Sequence, residues 1–277
     1  MVWLNVACLD APLVAVAWQW LFARSFHIAV SASARVALFL AAWLIYLIDR
    51  LADSLSLQHR SAKSLRQQFC LRHRRIWIGL IPVIAPLDIV IVLSGLDRNL
   101  LLAGACLSGI ALIYLALNYA VSQLWDTVPL KEITVGFLFT AGTLLVLLPK
   151  LSVATPTMER STVTTAVMFF VALCSLNCMS IAVWERDLDR IQGKHSIATR
   201  WPGLGFSVRI ICIVLAAAAL LLAFASHRLF SVAICLSASA TLLAILHFVS
   251  IQHDERTALA DLVLLTPVAF LCAELIL

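Results

Sequence analysis

Apolar stretches about twenty residues long recur from one end of this chain to the other, and little interrupts them. A helix of that length crosses roughly 30 Å of hydrocarbon. Nine such stretches can be counted, near residues 4–22, 31–50, 76–96, 100–121, 131–149, 163–184, 205–225, 229–249 and 257–277. Inside a bilayer every backbone N–H and C=O must find a partner within the chain. Only helices and closed barrels achieve this, and these stretches are too long for barrel strands. The expected fold class is all-α: a polytopic membrane protein of nine transmembrane helices, forming one domain over residues 1–277. Composition agrees, since 62% of the 277 residues are hydrophobic and 13% are charged, against about 25% charged in soluble domains.

The first stretch does not read as a signal peptide. It lacks a basic leader, carries Asp10 and Pro12 early, and shows no small-residue cleavage site before Arg24. With nine alternating spans, fourteen of the twenty lysines and arginines fall on one side and six on the other. The positive-inside rule then places the N-terminus in the cytoplasm and the chain in the cytoplasmic membrane. The expected surroundings are the lipid bilayer, with no nucleic acid and no obligate protein partner. The eight cysteines lie mostly within apolar stretches, with no Cys-x-x-Cys pair, and read as small buried apolar residues.

Two acidic clusters stand against this background, each closing a long apolar stretch. The first is Asp49 and Asp53; the second is Glu185, Asp187 and Asp189. Both read acid-Arg-x-x-Asp, and both belong to the more basic, cytosolic side. Carboxylates at i and i+4 on a helix repel by about 0.2–0.5 kcal/mol per pair, and a helix C-terminus disfavours negative charge further. Two such costs at matching places call for a cation. Asp49, Asp53, Glu185 and Asp189 offer the hard oxygen ligands that suit Mg²⁺ bound jointly with substrate phosphates. Asp187, two residues from each acidic neighbour, joins them only if the helix has already ended. Arg50, Arg72, Arg74, Arg75, Arg190, Lys194 and Arg200 are placed to neutralise phosphate oxygens. The polar segment 54–75 is loosely amphipathic, and reads as a basic surface helix on anionic lipid, a lid over a phosphate, or both.

These residues resemble the UbiA superfamily of intramembrane prenyltransferases, whose members carry nine transmembrane helices and two aspartate-rich motifs on the cytosolic side. Asp49-Arg-Leu-Ala-Asp53 matches the second half of the first motif, with Ile45 and Tyr46 where Asn-Asp would stand. Ile181, Glu185 and Asp189 take the acidic places of the second motif, and Gly193-Lys-His-Ser continues it. Pro129-Leu-Lys131-Glu, followed by spaced glycines, is similar to the start of the family's fifth helix. The resemblance implies a UbiA-like bundle capped by cytosolic loops at about 51–75 and 185–204. It implies an enzyme that binds an isoprenyl diphosphate through Mg²⁺ and ionises its C–O bond, releasing pyrophosphate. It also implies that Lys131 contacts the diphosphate.

The motifs are eroded, and the chain shows no obvious polar acceptor pocket, only scattered acids. Both facts lean toward the UbiA-type terpene cyclases (terpene synthases, lyases), in which the cation attacks its own double bonds. Prenyl transfer to a lipophilic, aromatic acceptor is the alternative. A non-catalytic transporter or scaffold is the reading from a different class.

Several further residues are candidates for the pocket. Asp10 and Asp261, in the cytosolic third of the first and last spans, are placed to polarise an acceptor, take a proton, or pair with a base such as Arg256. Asn177, two turns before Glu185, either lines the cavity or bonds a neighbouring helix. Tyr46 is placed to hydrogen-bond phosphate. Asp88, Asn118, Tyr119, Gln123 and His195 carry weaker signals, and Glu274 reads as a solvated acid near the outer end. Trp18, Trp20, Trp43, Trp125 and Trp184 are either interfacial anchors or walls for a carbocation.

Overall fold

The computed structural model describes residues 2–56, 64–120, 129–154, 159–193 and 196–276. Among these every regular element is helical. The elements are α1 (Val2–Val6), α2 (Asp10–Ser25), α3 (Ala32–Ser56), α4 (Leu65–Arg72), α5 (Arg74–Gly95), α6 (Arg98–Ala120), α7 (Leu130–Leu144), α8 (Leu148–Ala154), α9 (Arg160–Gln192), α10 (Ile197–Arg200), α11 (Leu204–Ala225), α12 (Phe230–Leu246), α13 (His253–Leu262) and, after a 3₁₀ turn over Val263–Leu265, α14 (Thr266–Ile276).

Six segments are long and apolar enough to cross a membrane: α3, α5, α6, α9, α11 and the run Asp254–Ala273. Three of the nine expected stretches form shorter helices. The first is cut at Cys8, whose φ of 57° is left-handed. There the Cys8 N–H donates to the Asn5 carbonyl and the Leu9 N–H to the Leu4 carbonyl, a pairing that satisfies the last carbonyls of α1. Asp10 therefore opens α2 at its N-terminus instead of lying inside a longer helix. The fifth stretch breaks at Leu145–Leu147, just before Pro149, whose ring cannot continue the preceding helix. The eighth forms the 17-residue α12.

The last stretch is also interrupted, and the side chains that serve the break are visible. The Trp18 indole N–H donates to the Leu264 carbonyl at 2.8 Å, and the Ser239 hydroxyl to the Val263 carbonyl at 2.8 Å. Carbonyls freed by the 3₁₀ turn are thus taken up inside the protein, as a low-dielectric setting requires.

A large apolar core gathers α2, α7, α9, α11 and α12. A smaller one joins the α1–α2 turn to α3, α4 and α5. In the larger core the Trp18 and Phe170 rings stack at 4.6 Å. Gly136 of α7 lets α9 come so close that an added Cβ would lie 2.2 Å from the Ser175 hydroxyl, the close approach that small residues allow between membrane helices. By contrast α5 and α6 turn Ile78, Val83, Leu93, Leu112 and Ile113 outward, each more than half exposed. A contiguous apolar face of this kind suits lipid and not water.

The ends of the elements sort into two groups. At one end the backbone N–H at the start of α4 donates to Asp254 of α13, and α4 also reaches the end of α9. At the other, Ser33 meets the Gly95 carbonyl, Lys150 the Ala29 carbonyl, and Ser25 meets Ser231. Both acidic clusters belong to the first end.

Candidate functional site

The ends of α3 and α9 are strapped together by α4. This short helix is set by its own sequence. Ser64 caps it in a capping box with Gln67, each side chain serving the other's backbone N–H. The cap fixes Gln67, which is 4% exposed. The Gln67 side-chain amide donates to Asp53 Oδ2 at 3.1 Å, and its oxygen accepts from the Gln192 amide at 3.0 Å. One glutamine side chain therefore links the acidic end of α3 to the acidic end of α9. One residue earlier, Arg66 forms an ion pair with Glu185. The cation that the acidic pattern calls for is supplied, at Glu185, by the protein itself.

Further along α9, Asp189 is 9% exposed and Gln192 2%. The helix ends at Gly193, whose φ of 64° is the left-handed cap position that glycine adopts without a Cβ penalty. Because α9 continues unbroken through Gln192, the condition for Asp187 to ligate is not met. Its side chain is 82% exposed and lies 3.8 Å from both Arg186 and Arg190. Arg72 and Arg190 are likewise exposed, and Lys131 is exposed on the first turn of α7 beside the buried Glu132. Arg190 meets the acidic end of α9 through Asp187 alone among the ion pairs described. Lys194, His195, Gln123 and Trp125, and the side chains of Tyr119 and Glu274, lie outside the described residues.

Deeper in the bundle is a second polar group. Asp10 is 1% exposed, Asp261 8%, and Asn5 and Asn177 5% each. The Asn5 amide donates to Asp10 at 2.6 Å and to Asp261 at 2.9 Å, and the Asn177 amide donates to the other Asp261 oxygen at 2.9 Å. The Asn5 amide thus bridges the two carboxyl groups. Neither acid pairs with Arg256, which donates to the Val249 carbonyl and lies over Trp184. Asn177 Oδ1 is buried without a partner. Arg50 and Tyr46 lie within electrostatic range of this group, with the Arg50 guanidinium donating to the Tyr46 hydroxyl. Tyr46 is thus committed to its neighbour one turn on.

The described tryptophans do not converge on one cavity. Trp18 is fully buried between Phe22 and Phe170, Trp43 donates to the Ala7 carbonyl, Trp20 lies beneath Arg24, and Trp184 packs on His247. Of two surface clefts, of about 340 and 370 Å³, the first has Trp184 in its wall and the second is lined by no tryptophan. Cys70 on α4 is buried, and burial pushes its thiol up from the ordinary range, so it remains a protonated packing residue at neutral pH.

Sequence reasoning overlooked Arg66, Gln67 and Gln192 as parts of the site. The Ser64-x-x-Gln67 spacing was the available signal, because a capping box announces where a helix begins and which residues share its first turn. It also overlooked Asn5.

Whether the acidic ends suit Mg²⁺ depends on their donors. Asp49, Asp53, Glu185 and Asp189 present hard carboxylate oxygens, the right chemical type. In the arrangement described, Arg66 holds Glu185 and Gln67 holds Asp53. Among the described residues no three His, Cys, Asp or Glu side chains are grouped as a metal site. The residues fit the ion in kind, with Arg66 occupying the electrostatic role at Glu185 that the ion would take.

Comparison of the chain with protein-family models, with curated proteins and with solved structures finds no match.

Proposed function

We propose that this is an integral-membrane enzyme of the UbiA type that ionises an isoprenyl diphosphate and releases pyrophosphate. The observation that supports the reading is the Gln67 link. Two carboxylate-bearing helix ends, more than a hundred residues apart in sequence, sit on either side of one glutamine amide. In this reading α2, α7 and α12 cross the bilayer along with the six longer segments, giving nine spans, with the acidic end in the cytoplasm.

Asp49, Asp53, Glu185 and Asp189 would hold Mg²⁺, which when bound would neutralise the departing diphosphate. The chain's own residues do the rest. Arg66, released from Glu185, offers a planar pair of N–H donors to a phosphate oxygen. Gln67, buried between the acidic ends, holds their spacing. The apolar bundle excludes water from the prenyl chain. The cation's fate is proposed to be intramolecular cyclisation.

A second reading, transfer to a lipophilic acceptor, is favoured by one observation. Asp10, Asp261, Asn5 and Asn177 are not scattered but form one buried polar group, and the unpartnered Asn177 Oδ1 is an atom that an acceptor hydroxyl could meet.

One experiment addresses both. Purified protein is given Mg²⁺ and C10 to C20 prenyl diphosphates without acceptor, and pyrophosphate and organic products are measured. A cyclic hydrocarbon or terpene alcohol, lost in Asp53→Ala and Glu185→Ala, supports cyclisation. Turnover only after an aromatic acceptor is added supports transfer. Absence of pyrophosphate under both conditions overturns the enzyme reading in favour of a transporter or scaffold.

A further inference from the structure

Trp184, one residue before Glu185, opens onto a cleft of about 340 Å³ that belongs to neither polar group. Phe206 and Arg209 of α11, His247 after α12, and Arg256 of α13 complete its walls. The two arginines are held by aromatic rings and not by acids. The Arg209 guanidinium lies 4.7 Å from the Phe248 ring centre and 5.2 Å from that of Phe206. The Arg256 guanidinium lies 5.6 Å from Trp184, donates once to the Val249 carbonyl, and keeps a buried Nε without a partner. Among the described residues neither arginine has a carboxylate within ion-pair distance. His247 is already bonded to the Ser180 hydroxyl at 3.0 Å, so it serves as wall more than as ligand.

Two guanidiniums without an acid partner, both partly exposed in the cleft, present a local positive charge that attracts an anion. Ring stacking fixes the planes of both groups while leaving N–H edges available, a preorganised fork for a tetrahedral oxyanion. The rim identifies the carrier of that anion. Phe206 and Phe248 are 61% and 65% exposed, and the outward face of α11 continues from them through Ile210, Ile213 and Val214. An aliphatic tail can lie along that face while its headgroup sits between the arginines. Basic clefts between membrane helices recognise anionic headgroups in this way.

We propose that this cleft binds the phosphate group of an anionic membrane lipid, with Arg209 and Arg256 taking its oxygens and the acyl chain following α11. The proposal is independent of the chemistry at the acidic ends.

The test uses the full chain in detergent micelles, with lipid retention read by native mass spectrometry. Phosphatidylglycerol should be retained well above phosphatidylcholine, and R209Q/R256Q should weaken its binding roughly thirtyfold, as expected for two basic contacts. R209K/R256K, keeping the charge but losing the stacked planar fork, should fall between the unaltered protein and R209Q/R256Q. Equal retention of the two lipids by the unaltered protein overturns the proposal without any variant, so a misfolded double variant does not shield it. Unchanged phosphatidylglycerol binding by a folded R209Q/R256Q protein overturns it as well. If inorganic phosphate alone binds and the lipid does not, the anion is free phosphate and the lipid assignment fails.

Discussion

Among the acids, Asp187 and Asp189 differ most in setting, although only Leu188 separates them. Asp189 is nearly buried on the side of α9 that continues toward Gln192, while Asp187 is exposed between two arginines. Asp189→Ala is expected to abolish pyrophosphate release, and Asp187→Ala to leave it within about twofold, since weak exposed ion pairs contribute little; a steady-state pyrophosphate assay on both variants checks the contrast. Asp261 plays a different part. It accepts from two buried amides, so Asp261→Ala strands the Asn177 amide and leaves the Asn5 amide with Asp10 alone. That should destabilise the protein by about 1–3 kcal/mol, seen as a lower melting temperature in detergent, with Asp261→Asn intermediate.

At the scale of elements, the closest constraint is the α7–α9 contact. A methyl group at position 136 would sit 2.2 Å from Ser175 Oγ and 2.8 Å from the Val171 carbonyl. The second neighbour is backbone and cannot rotate away. Gly136→Ala should therefore push the helices apart and lower stability by about 1–3 kcal/mol, as overpacked cores do, while the same change at Gly79, which has open space around it, should have little effect. Thermal unfolding of the two variants side by side tests this. The sequence already displayed glycines spaced along this helix, and Gly193 just where α9 must end. It did not disclose which glycine faces a neighbouring backbone, because that depends on how two helices distant in the chain are rotated against each other.

At the scale of the molecule, the length of the apolar stretches made legible an all-helical class with helices long and apolar enough to cross a membrane, along with the acid-Arg-x-x-Asp ends on one side. The breaks at Cys8 and at Val263–Leu265 were not legible. Asp10 and Pro12 follow the first and Thr266 and Pro267 the second, but the second is stabilised by Trp18 and Ser239, residues outside its own stretch. The union of Asp10 with Asp261 escaped for the same reason, since it joins the two extremes of the sequence. The sorting of ends makes a topology prediction. Single cysteines replacing Arg74 and Asp97, at opposite ends of α5 in a cysteine-free background, should react with a membrane-impermeant maleimide from opposite faces of sealed vesicles, Arg74→Cys only from the cytoplasmic face. Arg66 carries a final consequence. Because a guanidinium already sits against Glu185, the fold brings its own substitute for a divalent ion and does not depend on one for cohesion. Stripping metals with a chelator should then silence turnover yet leave the melting temperature where it stood, and added magnesium should have to compete with Arg66 before it can hold Glu185.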